Sequence, residues 1–330
     1  MNLKGQNVLI TGAGGFIGSH LTESLVKAGA KVGVFVKYNS RSEYGMIEQL
    51  SNLIKSKINV IKGDLKDFES VNRAVEKTDV IFHLGAIISI PYSYENPSDV
   101  INTNVQGTLN VLNAARKNGG IKKIIHTSTS EVYGSANYVP IDEKHPLCAQ
   151  SPYSASKIAA DKISESYYRS FGLPIATIRP FNTYGPRQSA RAVIPAIISQ
   201  ALVNKKIILG SLKPTRDFTY VKDTIKGFIK VAESENAIGE VVNIGSNFEI
   251  SIGDLVSKIS SILGIKINVI QDKGRVRPRN SEVNRLLCDN TKAKNILGWK
   301  PKVTLDEGLG LTIDWVKNNL DSFKKDIYNF

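Results

Sequence analysis

Tyr153 and Lys157 stand four residues apart in SPYSASKIAAD. On a helix that spacing puts both side chains on one face, one turn apart. A free phenol ionises near ~10 and is a poor base at neutral pH. An ammonium beside it favours the phenolate and makes it a usable proton acceptor. About twenty residues earlier, HTSTSEVYG (126–134) supplies hydroxyls at Thr129 and Ser130 and a carboxylate at Glu131. A hydroxyl and a phenol–ammonium pair suffice to take the proton of an alcohol as it is oxidised. The carboxylate is surplus to that step, and the residues alone leave its task open.

Alcohol oxidation also needs a hydride acceptor. TGAGGFIGSH follows the apolar run NVLIT and opens a helix, with Gly12, Gly15 and Gly18 spaced three apart and Phe16 and Ile17 between them. Glycine lets the backbone approach a pyrophosphate closely, and the helix N-terminus offers unpaired N–H groups and a partial positive charge. In a strand–turn–helix setting this is a dinucleotide fingerprint. An acid ending the second strand would favour NAD+, but FVKYNSR has none. Lys37 and Arg41 suit a 2′-phosphate, so the reading of NAD(P)+ leans to NADP+. Asp64 ends the third strand, where an acid meets an adenine amino group. Leu65, and Leu84 and Ala86 in HLGA, complete the expected cofactor contacts.

Those residues must be carried by a regular scaffold. Short β-branched runs at 7–11, 31–36, 58–64, 79–86, 122–128 and 174–180 alternate with helical periods. This predicts an α/β fold with a doubly wound, Rossmann-type parallel sheet. The alternation breaks after RPFNTYGPRQSARAVIP, although EVVNIGS (240–246) reads as one more strand. The expected division is a dinucleotide-binding domain of residues 1–183 plus about 226–249. Residues 184–225 and 250–330 would form a smaller C-terminal substrate-binding lobe.

The chain has 330 residues and a formal charge of +13. No dense basic block or nucleic-acid motif accompanies that charge, so nucleic acid is not an expected partner. The two cysteines, Cys148 and Cys288, form no CxxC, which argues against a zinc site or disulfide framework. No metal is expected. The sequence shows neither a signal peptide nor a membrane-length apolar run, and the expected location is cytoplasmic.

TGAGGFIGSH, GDL, HLGA, NTNVQGT, YSASK, RPFNTYGPRQ and RDFTYV together resemble the extended short-chain dehydrogenase/reductases of the nucleotide-sugar epimerase and dehydratase group. The resemblance runs over essentially the whole chain. FVKYNSR, GPRQSARAVIP and RVRPRNSEVNRLLCDNTKAKNILGWKP look most like N-acetylglucosamine-nucleotide 4,6-dehydratases of legionaminic acid biosynthesis.

The resemblance implies that Thr129 bonds the sugar 4-hydroxyl, Tyr153 takes its proton, and Lys157 holds the cofactor ribose and lowers the Tyr153 pKa. Glu131 would then remove the C5 proton of the 4-keto sugar. Loss of the 6-hydroxyl and return of the hydride to C6 would regenerate a tightly bound cofactor. Glucose dehydratases carry Asp where this chain has Ser130, which leaves the acid for the departing hydroxyl open between Glu131 and Ser130 with a water. Asn182, Arg216 and Arg277 resemble diphosphate-binding residues, Glu282 a ribose contact, and Arg191 and Val193 lie in the stretch expected to line the nucleoside. The expected partner is a nucleotide sugar with its base open among UDP, GDP and dTDP, and family likeness also implies a homodimer. Ile88-Ser89, in place of Ser-His, would give an apolar wall for an N-acetyl methyl. A 4-epimerase, a UDP-glucuronate decarboxylase and a non-catalytic dinucleotide sensor or scaffold are the competing readings.

Overall fold

The computed structural model describes residues 1–323, so residues 324–330, the end of the expected lobe, lie outside the described residues. Six strands come first: β1 (Asn7–Thr11), β2 (Lys31–Lys37), β3 (Ile58–Gly63), β4 (Val80–His83), β5 (Lys123–Thr127) and β6 (Ile175–Pro180). They are followed by β7 (Asn182–Tyr184), β8 (Lys206–Leu209), β9 (Thr215–Tyr220), β10 (Val241–Ile244), β11 (Glu249–Ser251) and β12 (Asn268–Gln271). The main sheet runs β10-β6-β5-β4-β1-β2-β3, and every neighbouring pair in it is parallel. This is the doubly wound Rossmann-type sheet that the alternating runs predict.

Side chains alternate between the sheet's faces, and both faces are covered. Val8, Ile10, Val34, Phe82, Ile125 and Ile178 pack with Leu21 and Leu25 of the Phe16–Lys27 helix and Phe228 and Val231 of the Val221–Glu233 helix. Leu9, Phe35, Ile81 and Ile124 point the other way. They meet Val71 and Val75 of the Phe68–Val75 helix and Val111 and Leu112 of the Gly107–Asn118 helix. Each such residue, fully buried, contributes about 1.5–3 kcal/mol relative to exposure.

Beyond β6 the chain builds two small sheets, β11-β9-β7 and β12-β8. The Val193–Asn204, Ile252–Leu263 and Leu305–Asn318 helices pack around them. β10 returns to pair with β6, as the 240–246 run suggested. Among the described residues no helix is long and apolar enough to cross a membrane.

Two histidines are held inside this packing. His20 bonds the Pro186 carbonyl at 2.9 Å, and burial, then the Arg187 charge, lower its pKa to about 4. His83 lies between Thr11 (2.8 Å) and Thr108 (3.0 Å), and burial, then the His126 and Lys157 charges, hold it well below its ordinary value. The unfolded chain therefore takes up these protons first. The stability their neutral forms permit is complete above about pH 6.5 and is lost as pH falls toward 4. For His20 alone the loss between pH 7.5 and 5 is expected to be about 2 kcal/mol. Urea unfolding across that range should show it, and His20→Gln should flatten the profile.

Candidate active site

The turn after β1 is shaped by backbone contact. Gly12 has φ +71°, and a Cβ there would sit 2.7 Å from Gly85 N, at the exit of β4. A Cβ on Gly18 would sit 2.2 Å from the Gly12 carbonyl oxygen. Thr11 Oγ1 accepts from Gly85 N at 3.0 Å, fastening the two strand exits together. Gly15 caps the Phe16–Lys27 helix without a side-chain bond, so the first-turn N–H groups have no side-chain cap. Such a terminus suits an anionic group.

Beside this turn lies a cavity of about 350 Å³ lined by Gly12, Gly15, Lys37, Asp64, Leu65 and Ala86 among the expected cofactor residues. Phe16, Ile17, Gly18, Leu84, Arg41, Tyr153 and Lys157 are not on its wall. Gly18 instead keeps the turn closed, and exposed Arg41 lies 3.9 Å from Glu43. Lys37 pairs with Asp64 at 3.7 Å. Sequence reasoning missed Gly14, Asn39, Glu43, Tyr44 and Gly45, which also line the cavity. The Asn39 amide accepts from Arg41 N and Glu43 N and donates to the Glu43 carbonyl, holding this segment in a tight turn. Gly45 (φ +64°) then packs backbone to backbone on Gly14, where a Cβ would come within 2.4 Å of the Gly14 oxygen. The readable signal was the Asn-Ser turn followed by glycine in YNSRSEYG. Gly45→Ala should push this segment off the glycine turn and weaken binding of NAD+ and NADP+ alike by about tenfold in titration calorimetry, ~1.4 kcal/mol.

The proton-transfer residues come from the exit of β5 and the Pro152–Phe171 helix. Thr129 caps the Ser130–Tyr133 turn, accepting from Glu131 N at 3.2 Å. Ser151 and Ser154 form a reciprocal capping box that fixes the helix start, with Tyr153 in its first turn. Both Tyr153 and Lys157 are buried. Burial pushes the Tyr153 phenol above its ordinary value, a bond with Thr129 opposes this, and the Glu131 and Asp161 charges add to it. Burial lowers Lys157 to about 8 against the opposing pull of Asp161. Its ammonium donates to the Thr127 carbonyl at 2.6 Å. Ser130 is buried and off the wall of the neighbouring cleft.

That cleft has a volume of about 620 Å³ and brings together Glu131, Asn182, Arg191, Val193, Arg216, Arg277 and Glu282. Glu131 and Glu282 are the carboxylates on its described wall, and each faces an arginine. Arg277 Nη1 lies 3.4 Å from Glu131, and Arg216 Nη2 lies 3.4 Å from Glu282. The Asn182 Oδ1 and Gln188 Oε1 atoms are buried without a partner among the described residues. Gln188, which sequence reasoning passed over, holds its amide in place by donating to the Thr183 carbonyl at 2.8 Å. Ile88, expected beside the sugar, is exposed and off the cleft wall, while Ser89 caps the Ile90–Glu95 helix.

The stretch carrying Arg277 and Glu282 is fastened to both proton-transfer elements. Ser135 Oγ donates to the Glu282 carbonyl at 3.1 Å, Gln150 Nε2 donates to the Asn280 carbonyl at 3.1 Å, and Ser281 Oγ donates to the Gln150 carbonyl. Tyr94 joins through its hydroxyl, 2.5 Å from Ser281 Oγ. Glu131 thus stands on the wall of the arginine-lined cleft, two residues from the Thr129 hydroxyl.

Known proteins are similar to this chain over nearly its whole length. Residues 9–312 match the family described as GDP-mannose 4,6 dehydratase. The chain is 35% identical to a putative UDP-glucose 4-epimerase of Methanocaldococcus jannaschii, over 94% of this chain and 99% of the relative. It is 36% identical to a UDP-N-acetyl-alpha-D-glucosaminuronate decarboxylase of Bacillus cytotoxicus, over 94% and 97%. The structure of DesIV, a dTDP-glucose 4,6-dehydratase from Streptomyces venezuelae with NAD bound, superposes with a TM-score of 0.84 at 28% identity. That superposition covers 96% of this chain and 99% of that one.

Proposed function

We propose, because this chain belongs to the nucleotide-sugar epimerase and dehydratase family of extended short-chain dehydrogenases, that it is a 4,6-dehydratase. Its product would be a 4-keto-6-deoxy sugar nucleotide, made from UDP- or GDP-N-acetylglucosamine. The observation that carries this reading is the placement of Glu131 on the cleft wall, two residues from the hydroxyl that bonds Tyr153. A carboxylate there has a task in dehydration that simple oxidation at C4 does not provide. The proposed division of labour follows the expected one. Residues 1–183 with about 226–249 hold the cofactor, and 184–225 with the described part of 250–330 hold the substrate.

The glycine cradle fits a dinucleotide: Gly12 and Gly15 would hold its pyrophosphate, and Asp64 and Lys37 would face its adenosine. A nicotinamide dinucleotide bound there supplies the hydride acceptor for C4 and the hydride that ends on C6. Thr129 orients the 4-hydroxyl, and Tyr153 takes its proton. Because burial holds the phenol neutral, added positive charge is needed for this step, and Lys157 would contribute it once turned from Thr127. Glu131 then removes the proton at C5, made acidic by the adjacent ketone. With Ser130 off the wall, Glu131 is also placed to pass that proton to the 6-oxygen as it departs as water. A solvent proton reaches C5 through Glu131, and the proton taken from O4 returns to solvent, so the atoms balance. Arg216 and Arg277 would hold the diphosphate, whose oxygens match the guanidinium fork. Asn182 would donate to it, and Arg191 and Val193 would flank the nucleoside, with Glu282 at its ribose.

The test is a panel of UDP-, GDP- and dTDP-linked glucose, N-acetylglucosamine, mannose and glucuronate incubated in deuterated water and read by mass spectrometry. Dehydration predicts loss of water with one deuterium at C5, greatest for an N-acetylglucosamine nucleotide. Interconversion without mass loss would make the protein an epimerase, and carbon dioxide from a glucuronate would make it a decarboxylase. Glu131→Gln should cut dehydration by about 10²–10⁴-fold while C4 oxidation, followed at 340 nm, persists. For the cofactor we favour NADP+ on the basic end of β2. Lys37→Ala should raise the NADP+ Kd by about tenfold in titration calorimetry and leave the NAD+ Kd unchanged.

A further inference from the structure

One buried carboxylate, away from the glycine-turn cavity and the arginine-lined cleft and lining with Arg179 a third cavity of about 230 Å³, bonds β5, β6 and the segment before Thr129. Asp161 follows Lys157 by one helical turn and is 5% exposed. Its Oδ1 lies 3.0 Å from His126 Nε2, on β5. Its Oδ2 accepts from Ser128 Oγ at 2.8 Å and from Arg179 on β6, through Nη2 at 2.9 Å and Nε at 3.2 Å. Arg179 Nη1 donates onward to the Tyr133 hydroxyl at 2.9 Å, and Tyr133 donates to Asn243 Oδ1 on β10 at 2.8 Å.

The geometry of these partners is specific. Ser128 immediately precedes Thr129, Tyr133 closes the short turn that begins at Ser130, and Lys157 shares a helix face with Asp161. Burial alone would push the Asp161 carboxyl up, but the bond from His126 and the charges of His126, Arg179 and Lys157 hold it at about 2. The ionisable groups acting on Lys157 from its surroundings are Asp161 on its own helix, His126 on β5 and His83 on β4. Burial lowers both histidines, so Asp161 supplies the negative charge in this set.

We infer that Asp161, with Arg179 as its counter-ion, is a positioning residue for the C4 oxidation. Through Ser128 it sets Thr129 against Tyr153, through Arg179 and Tyr133 it sets the Glu131 turn, and it keeps the Lys157 ammonium charged. Asp161 is not on the wall of the cofactor cavity or the substrate cleft, so its influence would pass entirely through these neighbours. The inference rests on the reading that Tyr153 and Lys157 carry the oxidation.

The experiment compares Asp161→Asn, Asp161→Glu and the double variant Asp161→Asn/Arg179→Met with the full-length wild type. Circular dichroism first establishes the folded fraction. Asp161→Asn should lower kcat for C4 oxidation by about 100-fold, with the sugar-nucleotide KM and dinucleotide Kd within about twofold. The alkaline limb of its kcat profile should move from near pH 8 to about pH 7, because Lys157 has lost its countercharge. Asp161→Glu should recover part of kcat. The double variant, which leaves no unpaired arginine, should recover thermal stability without recovering kcat. Lysine side-chain NMR titration, with Lys157→Met for assignment, reads the ammonium directly and needs no turnover. An Asp161→Asn protein with wild-type kcat, alkaline limb and Lys157 titration would overturn the inference and leave Asp161 a purely structural residue. A wild type that turns over no sugar nucleotide would sink the catalytic reading instead, while the titration would still decide whether Asp161 holds the Lys157 charge.

Discussion

Parallel strands all leave a sheet at the same edge, and this constraint governs everything chemical in the molecule. The strand order reverses between β1 and β4, where successive crossovers depart to opposite sides and leave a crevice at the carboxyl ends. Gly12 lies just past the first of those ends and Gly85 just past the second, packed so closely that no room is left for a Cβ on Gly12. One strand over, β5 delivers the Thr127 carbonyl, Thr129 and Glu131, and past β6 the chain delivers Asn182. The glycine-turn cavity and the arginine-lined cleft are therefore both built from segments that follow strand ends of the main sheet.

Much of this was legible because the sheet is buried on both faces. Fully buried parallel strands must be short aliphatic runs, so NVLIT, KVGVFV and PIATIRP announce themselves and the helices between them fix the winding. The small sheets were not legible. β7 and β11 are three residues each, too short to display a period, and β9 mixes charged and aromatic residues because it both packs and lines the cleft. Motifs located Tyr153, Lys157, Thr129 and Glu131, but a motif names residues without naming their partners. That Lys157 donates to Thr127, that Arg277 faces Glu131, and that Asn39 folds a loop onto the glycine turn are consequences of how the chain folds back on itself.

The relatives sharpen the same point. Proteins named as an epimerase, a decarboxylase and a dehydratase all match this chain over nearly its full length. The shared scaffold explains oxidation at one carbon and does not dictate the fate of the ketone. On the reading proposed above, the deciding chemistry would sit in a few side chains of the cleft, Glu131 foremost. Ile88 is exposed, and its neighbour Ser89 caps the Ile90–Glu95 helix, neither of which the resemblance alone conveyed.

The two arginine–carboxylate pairs of the cleft have a consequence for recognition. Arg277 is matched by Glu131 and Arg216 by Glu282, so these cations carry internal counter-ions. If a diphosphate is what enters, it meets no bare positive field from these two residues and must exchange places with carboxylates already there. Seating then resembles ion exchange on a fixed resin more than capture by a charged funnel. A ligand offering two negative groups at once would then be favoured, since an isolated anion has little to gain by displacing either carboxylate.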